Sequence, residues 1–178
     1  VDYVATNAYY NKESQNIVQV LSRIAAFNAK FGKPQIVSEF GGSSMAGSEG
    51  LLEADLHHGL WAGFHLPFAA TPLLWWHNFI EDRNLYGYFR ALARYAEGED
   101  FVRDRLVSGS AVFSGNGADK VAALVMKSNE KALMWIYFPA KLRTVNAYPR
   151  EQATGEITCR ITDLAPARYT IRLWNTFT

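Results

Sequence analysis

Between Pro34 and the Gly41-Gly42 pair the chain reads Gln35-Ile36-Val37-Ser38-Glu39-Phe40, a short apolar run bounded by residues that stop regular structure. It predicts a strand buried on both sides with a carboxylate near its end. Side chains alternate along a strand, so Val37 and Glu39 are expected on one face and Ile36, Ser38 and Phe40 on the other. Upstream, Asp2 to Tyr10 sets Tyr3, Ala5, Asn7 and Tyr9 against Val4, Thr6 and Ala8, which predicts a strand with a polar tip. From Glu13 onward Ile17, Leu21, Ile24 and Phe31 recur at helical spacing, with Ser14 as the cap and Gly32-Lys33-Pro34 as the stop. A second helix is predicted from about Ser48 through the Leu52, Leu56, Leu60, Phe64 stripe. Phe68 to Asn78, ending Leu73-Leu74-Trp75-Trp76-His77-Asn78, reads as a third buried strand, and Leu85 to Glu97 as a helix. The result is three strand-helix repeats.

After Gly98-Glu99-Asp100 the period changes. From Ala111 the segments are short and alternate: Val121 to Met126, Leu133 to Phe138, Ile157 to Thr162 and Tyr169 to Trp174, separated by turn-forming stretches such as Ser114-Gly115-Asn116-Gly117. Some seventy residues with about five strands fit a small antiparallel sandwich. The expected organisation is therefore α/β over 1–106 followed by an all-β module over 107–178.

A formal charge of +1, with Lys and Arg scattered among acids, indicates neither a nucleic-acid surface nor a membrane patch. No apolar run reaches the length of a membrane span, and no basic-then-apolar leader precedes the first strand. The single Cys159 excludes an internal disulfide, and its place in the Ile157, Cys159, Ile161 alternation predicts a small core residue. His57 and His58 are neighbours on a helix and point about 100° apart, unlike an i, i+4 metal-binding pair, so no metal or cofactor is expected.

Candidate chemistry gathers at the strand ends. A carboxylate beside Val37 is costly to bury, so Glu39 has either reached solvent at the end of its strand or been set there to react. Trp75 and Trp76 are core or, beside polar neighbours such as His77, a plate for a sugar ring. The Gly41-Gly42-Ser43-Ser44 loop is small enough for backbone to approach a ligand, or simply a turn.

Three of these segments carry a resemblance. Ile36-Val37-Ser38-Glu39-Phe40-Gly41 resembles the seventh strand of retaining glycoside hydrolases with a (β/α)8 barrel, of the clan that includes cellulases and mannanases; that strand bears the nucleophile. Asn7-Ala8-Tyr9 resembles the sixth strand, where His-x-Tyr is common and the Tyr bonds to that Glu. Trp75-Trp76 resembles the eighth, with its substrate-platform Trp, and Trp174-Asn175-Thr176 resembles the close of a β module that follows such barrels. The resemblance implies a partial (β/α)8 (TIM) barrel, its last three βα units, followed by a small antiparallel β-sandwich. It implies Glu39 as nucleophile, Tyr9 as its hydrogen-bond partner, and Asn7, Trp75, Trp76 and His77 as substrate-binding residues, with a β-linked poly- or oligosaccharide as substrate. By analogy with such hydrolases it implies a secreted or periplasmic protein.

Two features depart from the family pattern. Asn7 stands where His is frequent, and the Asn-Glu of the fourth strand, which supplies the acid/base, does not occur. A retaining glycosidase needs two carboxyl groups about 5 to 5.5 Å apart. Glu49, Glu53, Glu81 and Asp82 are the other acids expected near this face. A three-stranded piece of barrel exposes its edges and apolar interior, so an assembly is expected: a partner chain, a second copy or a longer polypeptide. The alternatives to an enzyme are a noncatalytic carbohydrate-binding or interaction module and a structural β-domain protein.

Overall fold

The computed structural model describes residues 2–10, 14–41, 48–145 and 156–178. Strand β1 (Val4–Ala8) leads into helix α1 (Ile17–Asn28). The cap of α1 is Asn16 rather than Ser14: its side-chain oxygen accepts from the Gln19 amide at 3.0 Å, satisfying one of the free N–H groups of the first turn. The helix ends in a 3-10 turn at Ala29–Phe31 and in Gly32, whose φ of 59° lies in the left-handed region that glycine tolerates.

Strand β2 (Gln35–Phe40) pairs in parallel with β1, Val4 opposite Gln35 and Ala8 opposite Phe40. Between these ends the register slips by one. Thr6 lies opposite Val37 but Asn7 lies opposite Glu39, so Ser38 is the extra residue of a bulge. Val37 and Phe40 are both buried, whereas Ser38 is exposed and Glu39 partly so. The expected sharing of one face by Val37 and Glu39 is thus overturned: the bulge re-aims the carboxylate away from the helices.

Helix α2 (Glu49–Phe64) opens at Ser48, whose hydroxyl accepts from the Leu51 amide at 3.3 Å. The following segment runs beside β2 in the parallel sense without becoming the expected strand. Its contacts are Ala69 N to Gln35 O at 2.7 Å, Phe40 N to Leu73 O at 2.8 Å, Trp75 N to Phe40 O at 2.7 Å, and one isolated bridge between Phe40 and Leu74. Pro72, in between, has no N–H to give to a ladder. The expected strand also ends early, because His77 opens helix α3 (His77–Asp82), ahead of α4 (Tyr86–Ala96).

Both α1 and α2 cover the same face of this parallel layer. Asn28 of α1 donates to Thr6 Oγ1 at 2.9 Å. Gly59 of α2 admits the Phe40 ring, and Gly63 admits Pro72; a Cβ on either would come within 2.4 Å of Phe40 or 2.1 Å of Pro72. Among the described residues the opposite face is bare, with Tyr3 54%, Leu73 61% and Trp75 52% exposed.

Past Arg105 the chain forms β3 (Val107–Gly109), β4 (Ala111–Gly115), β5 (Ala122–Lys127), β6 (Ala132–Tyr137) and β7 (Ile157–Ile161). They make two antiparallel sheets, β3-β5-β6 and β4-β7. Tyr169 to Trp174 alternates as a strand should, yet it finds no ladder partner among the described residues and stays exposed, since a strand exists only where a neighbour takes its backbone hydrogen bonds. Cys159 is exposed rather than core; β7 pairs with β4, and the Cys159 thiol reaches Met134 Sδ of β6 at 3.9 Å without being covered.

The fold is mixed helix and sheet with small antiparallel sheets, and among the described residues there is no closed barrel. One apolar core runs through all of it: Ile17, Leu21, Val37, Phe40, Leu56, Leu60 and Leu92 join Met126, Leu133, Trp135 and Leu142. Each such side chain contributes about 1.5–3 kcal/mol on burial. No described helix is long and apolar enough to cross a membrane.

Candidate active site

The carboxyl ends of β1 and β2 bring Asn7, Tyr9 and Glu39 together on the bare face. Asn7 Nδ2 donates to Glu39 Oε1, and Tyr9 OH donates to Oε2 at 3.2 Å. The bulge residue Ser38 donates through Oγ to Asn7 Oδ1 at 2.6 Å. Tyr9 is pushed up to about 12, first by burial and then by its hydrogen bond to the Glu39 carboxylate and the charge beside it, so it stays a donor throughout the neutral range.

Gly41 continues β2 into this corner. A Cβ there would stand 2.9 Å from the Trp76 indole and 3.4 Å from the Tyr9 ring, so the lack of a side chain lets the two aromatics close around the strand tip. Trp76 Nε1 donates to Gly41 O at 3.0 Å, which fixes the indole next to the Glu39 network. Trp75 stands on the same bare face. It is half-exposed and meets His77 edge-on with ring centroids 6.5 Å apart, while His77 Nδ1 lies 3.0 Å from Trp75 O. The five other residues expected with Glu39 therefore divide: Asn7 and Tyr9 bond to it, Trp76 is held at the strand tip by Gly41, and Trp75 and His77 form a more exposed pair.

None of the other candidate acids joins this network among the described residues. Glu49 is ion-paired with Arg83 on the surface, Glu53 accepts from Tyr88 OH at 2.6 Å, and Glu81 accepts from Tyr86. Gly42, Ser43 and Ser44 of the expected loop lie outside the described residues. Asn7 and Ser38 are exposed and Glu39 is partly so, and cavities of 540 Å³ beside Gln19 and Tyr137 and of 400 Å³ beside Phe68 and Met126 include neither Asn7 nor Glu39. Among the described residues no three His, Cys, Asp or Glu converge as a metal site would require.

A second polar cluster, invisible to the sequence reading, is sealed under the first. Tyr10, next to Tyr9 and pointing the other way, donates to both oxygens of buried Asp55 at 2.9 Å. Burial pushes Asp55 up to about 7 against the pull of Tyr10 and Arg143. His57 is lowered to about 3, by burial and then by neighbouring His58, and burial lowers His58 and His65 to about 4. His57 and Trp61 both donate to Thr176 O at 3.2 Å, and the His57 ring stacks on Phe177, tying the C-terminal residues to α2. The one hint in the sequence was a helix whose Leu stripe is flanked by Asp55, His57 and His58.

No protein-family model, curated protein or solved structure matches the chain. The functional reading therefore stands on the residues alone.

Proposed function

We propose that the chain is part of a retaining glycoside hydrolase acting on β-linked poly- or oligosaccharides, with Glu39 as the nucleophile. The observation that carries the reading is the pair of donors on Glu39, Asn7 on one oxygen and Tyr9 on the other, at the carboxyl ends of parallel strands where barrel enzymes keep their chemistry. Donors on both oxygens orient the lone pairs of the carboxylate, as attack on an anomeric carbon requires. Trp76, held by Gly41, walls the same corner and offers an apolar face to a sugar ring.

A barrel origin is supported by how the layers are laid. β1, β2 and the Leu74 segment succeed one another in parallel, and both crossover helices lie on one face, as in a singly wound (β/α) barrel. The bare face then corresponds to the interior of a barrel that other strands would close, from a partner chain, a second copy or a longer polypeptide. In this reading 1–106 is the partial catalytic barrel and 107–178 an appended β-sandwich module. The second carboxyl enters from those other strands, within about 5 to 5.5 Å of Glu39; it protonates the departing oxygen, then takes a proton from the water that releases the glycosyl ester.

One observation favours a second reading, a noncatalytic carbohydrate-binding module: no other carboxylate of the described chain is bonded into the Glu39 network. Replacing Glu39 separates the two. In the assembly that supplies the second carboxyl, Glu39→Gln abolishes hydrolysis of an aryl β-glycoside and spares glycan binding. Unchanged turnover in that variant removes the enzymatic reading.

A further inference from the structure

We propose that Ser38 is a positioning residue for Glu39, acting through Asn7. An unbroken strand sends consecutive side chains to opposite faces; the bulge instead puts Ser38 and Glu39 on the same face, opposite Asn7. There the three side chains form a chain of donors running one way: Ser38 Oγ to Asn7 Oδ1 at 2.6 Å, then Asn7 Nδ2 to Glu39 Oε1.

The chemistry of the amide makes the direction matter. A primary amide is a plane with an acceptor at one end and two donors at the other, and an ionised carboxylate only accepts. Turned over, Asn7 would set oxygen against oxygen at Glu39. The Ser38 hydroxyl gives the Asn7 carbonyl a partner, so the amide need not swing toward water to satisfy that end. Asn7 and Ser38 are both exposed, and solvent competes for each of their bonds. What keeps them aligned is the backbone pairing that sets Asn7 opposite Glu39 with Ser38 looped out beside it. Glu39 is thereby held at both oxygens, by Asn7 and by Tyr9, and the plane of its carboxylate is fixed. Without Ser38 one of the two holds loosens and the carboxylate turns about its bond to Tyr9.

The inference deepens the glycosidase reading, and its kinetic arm rests on that reading; its spectroscopic arm does not. In chain made with isotopically labelled asparagine, the side-chain NH2 signals lost in Asn7→Ala identify Asn7. In the parent one of these protons is displaced downfield by the carboxylate and exchanges slowly. Ser38→Ala moves the pair to the position and exchange rate of open amides, and Ser38→Thr, which keeps the hydroxyl, restores them. An Asn7 signal indifferent to Ser38→Ala overturns the proposal. In the complete assembly Ser38→Ala lowers kcat on an aryl β-glycoside about tenfold, through lost orientation, with KM nearly unchanged, and Ser38→Thr recovers it. A parental kcat in Ser38→Ala also overturns it. An assembly without turnover sinks the glycosidase reading instead, and the Asn7 signal still decides for or against Ser38.

Discussion

Tyr9 donates a hydrogen bond to Oε2 of Glu39 across 3.2 Å, from the residue just beyond one strand to the last turn of side chains on the next. The phenol is raised to about 12 by burial first and by the bonded carboxylate second. In a pH titration of tyrosinate absorbance, taken as the difference between the parent and Tyr9→Phe, Tyr9 ionises near that value. Glu39→Gln removes the charge but not the burial, so the midpoint falls part of the way toward 10. An ordinary midpoint in the parent, unmoved by Glu39→Gln, contradicts the contact.

Acid destabilises the fold through histidines held neutral. His57, His58 and His65 have folded values of about 3 to 4 against 6.5 unfolded, so their contribution is intact above about 6.5 and is lost as pH falls through 4. Each net proton taken up on unfolding steepens the dependence by ~1.4 kcal/mol per pH unit. Thermal melts between neutral pH and pH 4 show a falling midpoint. His57→Phe, which keeps a ring on Phe177 and leaves Trp61 bonded to Thr176 O, makes that fall shallower.

Asp55 works in the opposite sense. Its folded value, raised from 3.8 to about 7, means a contribution that is whole below 3.8 and is lost as pH rises through 7. Denaturant unfolding on either side of pH 7 shows the parent losing stability with alkali and Asp55→Asn losing less. Asp55→Ala costs about 3 kcal/mol at low pH, since it strands the buried Tyr10 hydroxyl and leaves a void, and costs less above pH 7.

Gly59→Ala places a methyl 2.4 Å from the Phe40 ring, next in sequence to Glu39. Overpacking of this kind costs about 1–3 kcal/mol, read as a lower denaturation midpoint. Because Phe40 anchors the end of β2, the same substitution disturbs the Tyr9 titration. Gly50→Ala, whose added carbon meets nothing within 4 Å, does neither.

Much of this arrangement was legible in the chain. The two parallel strands, the start of a helix at about Ser48, the Leu52 to Phe64 stripe and the short β segments after Ala111 follow from local period and punctuation. What escaped depends on partners distant in sequence. No residue type announces the bulge at Ser38, since the slip arises from how β1 and β2 meet, and it moves Glu39 to the other face. Pro72 was visible, yet its cost appears only when its neighbour needs an N–H. Helix α2 carried an apolar stripe; that Asp55, His57 and His58 are buried too reflects Tyr10, Leu142 and Thr176, which fold back from far along the chain. The Tyr169 to Trp174 alternation is a true strand pattern without a ladder to join among the described residues.

The central claim is that Glu39 attacks a sugar, and a trapped glycosyl ester tests it most directly. The complete assembly is incubated with a fluorinated aryl β-glycoside whose ester forms but hydrolyses slowly, then digested and mapped by mass spectrometry. The account predicts one added sugar, on the peptide containing Glu39, absent in Glu39→Gln. Steady hydrolysis of the parent aryl glycoside with the label on another residue, or with none, contradicts it.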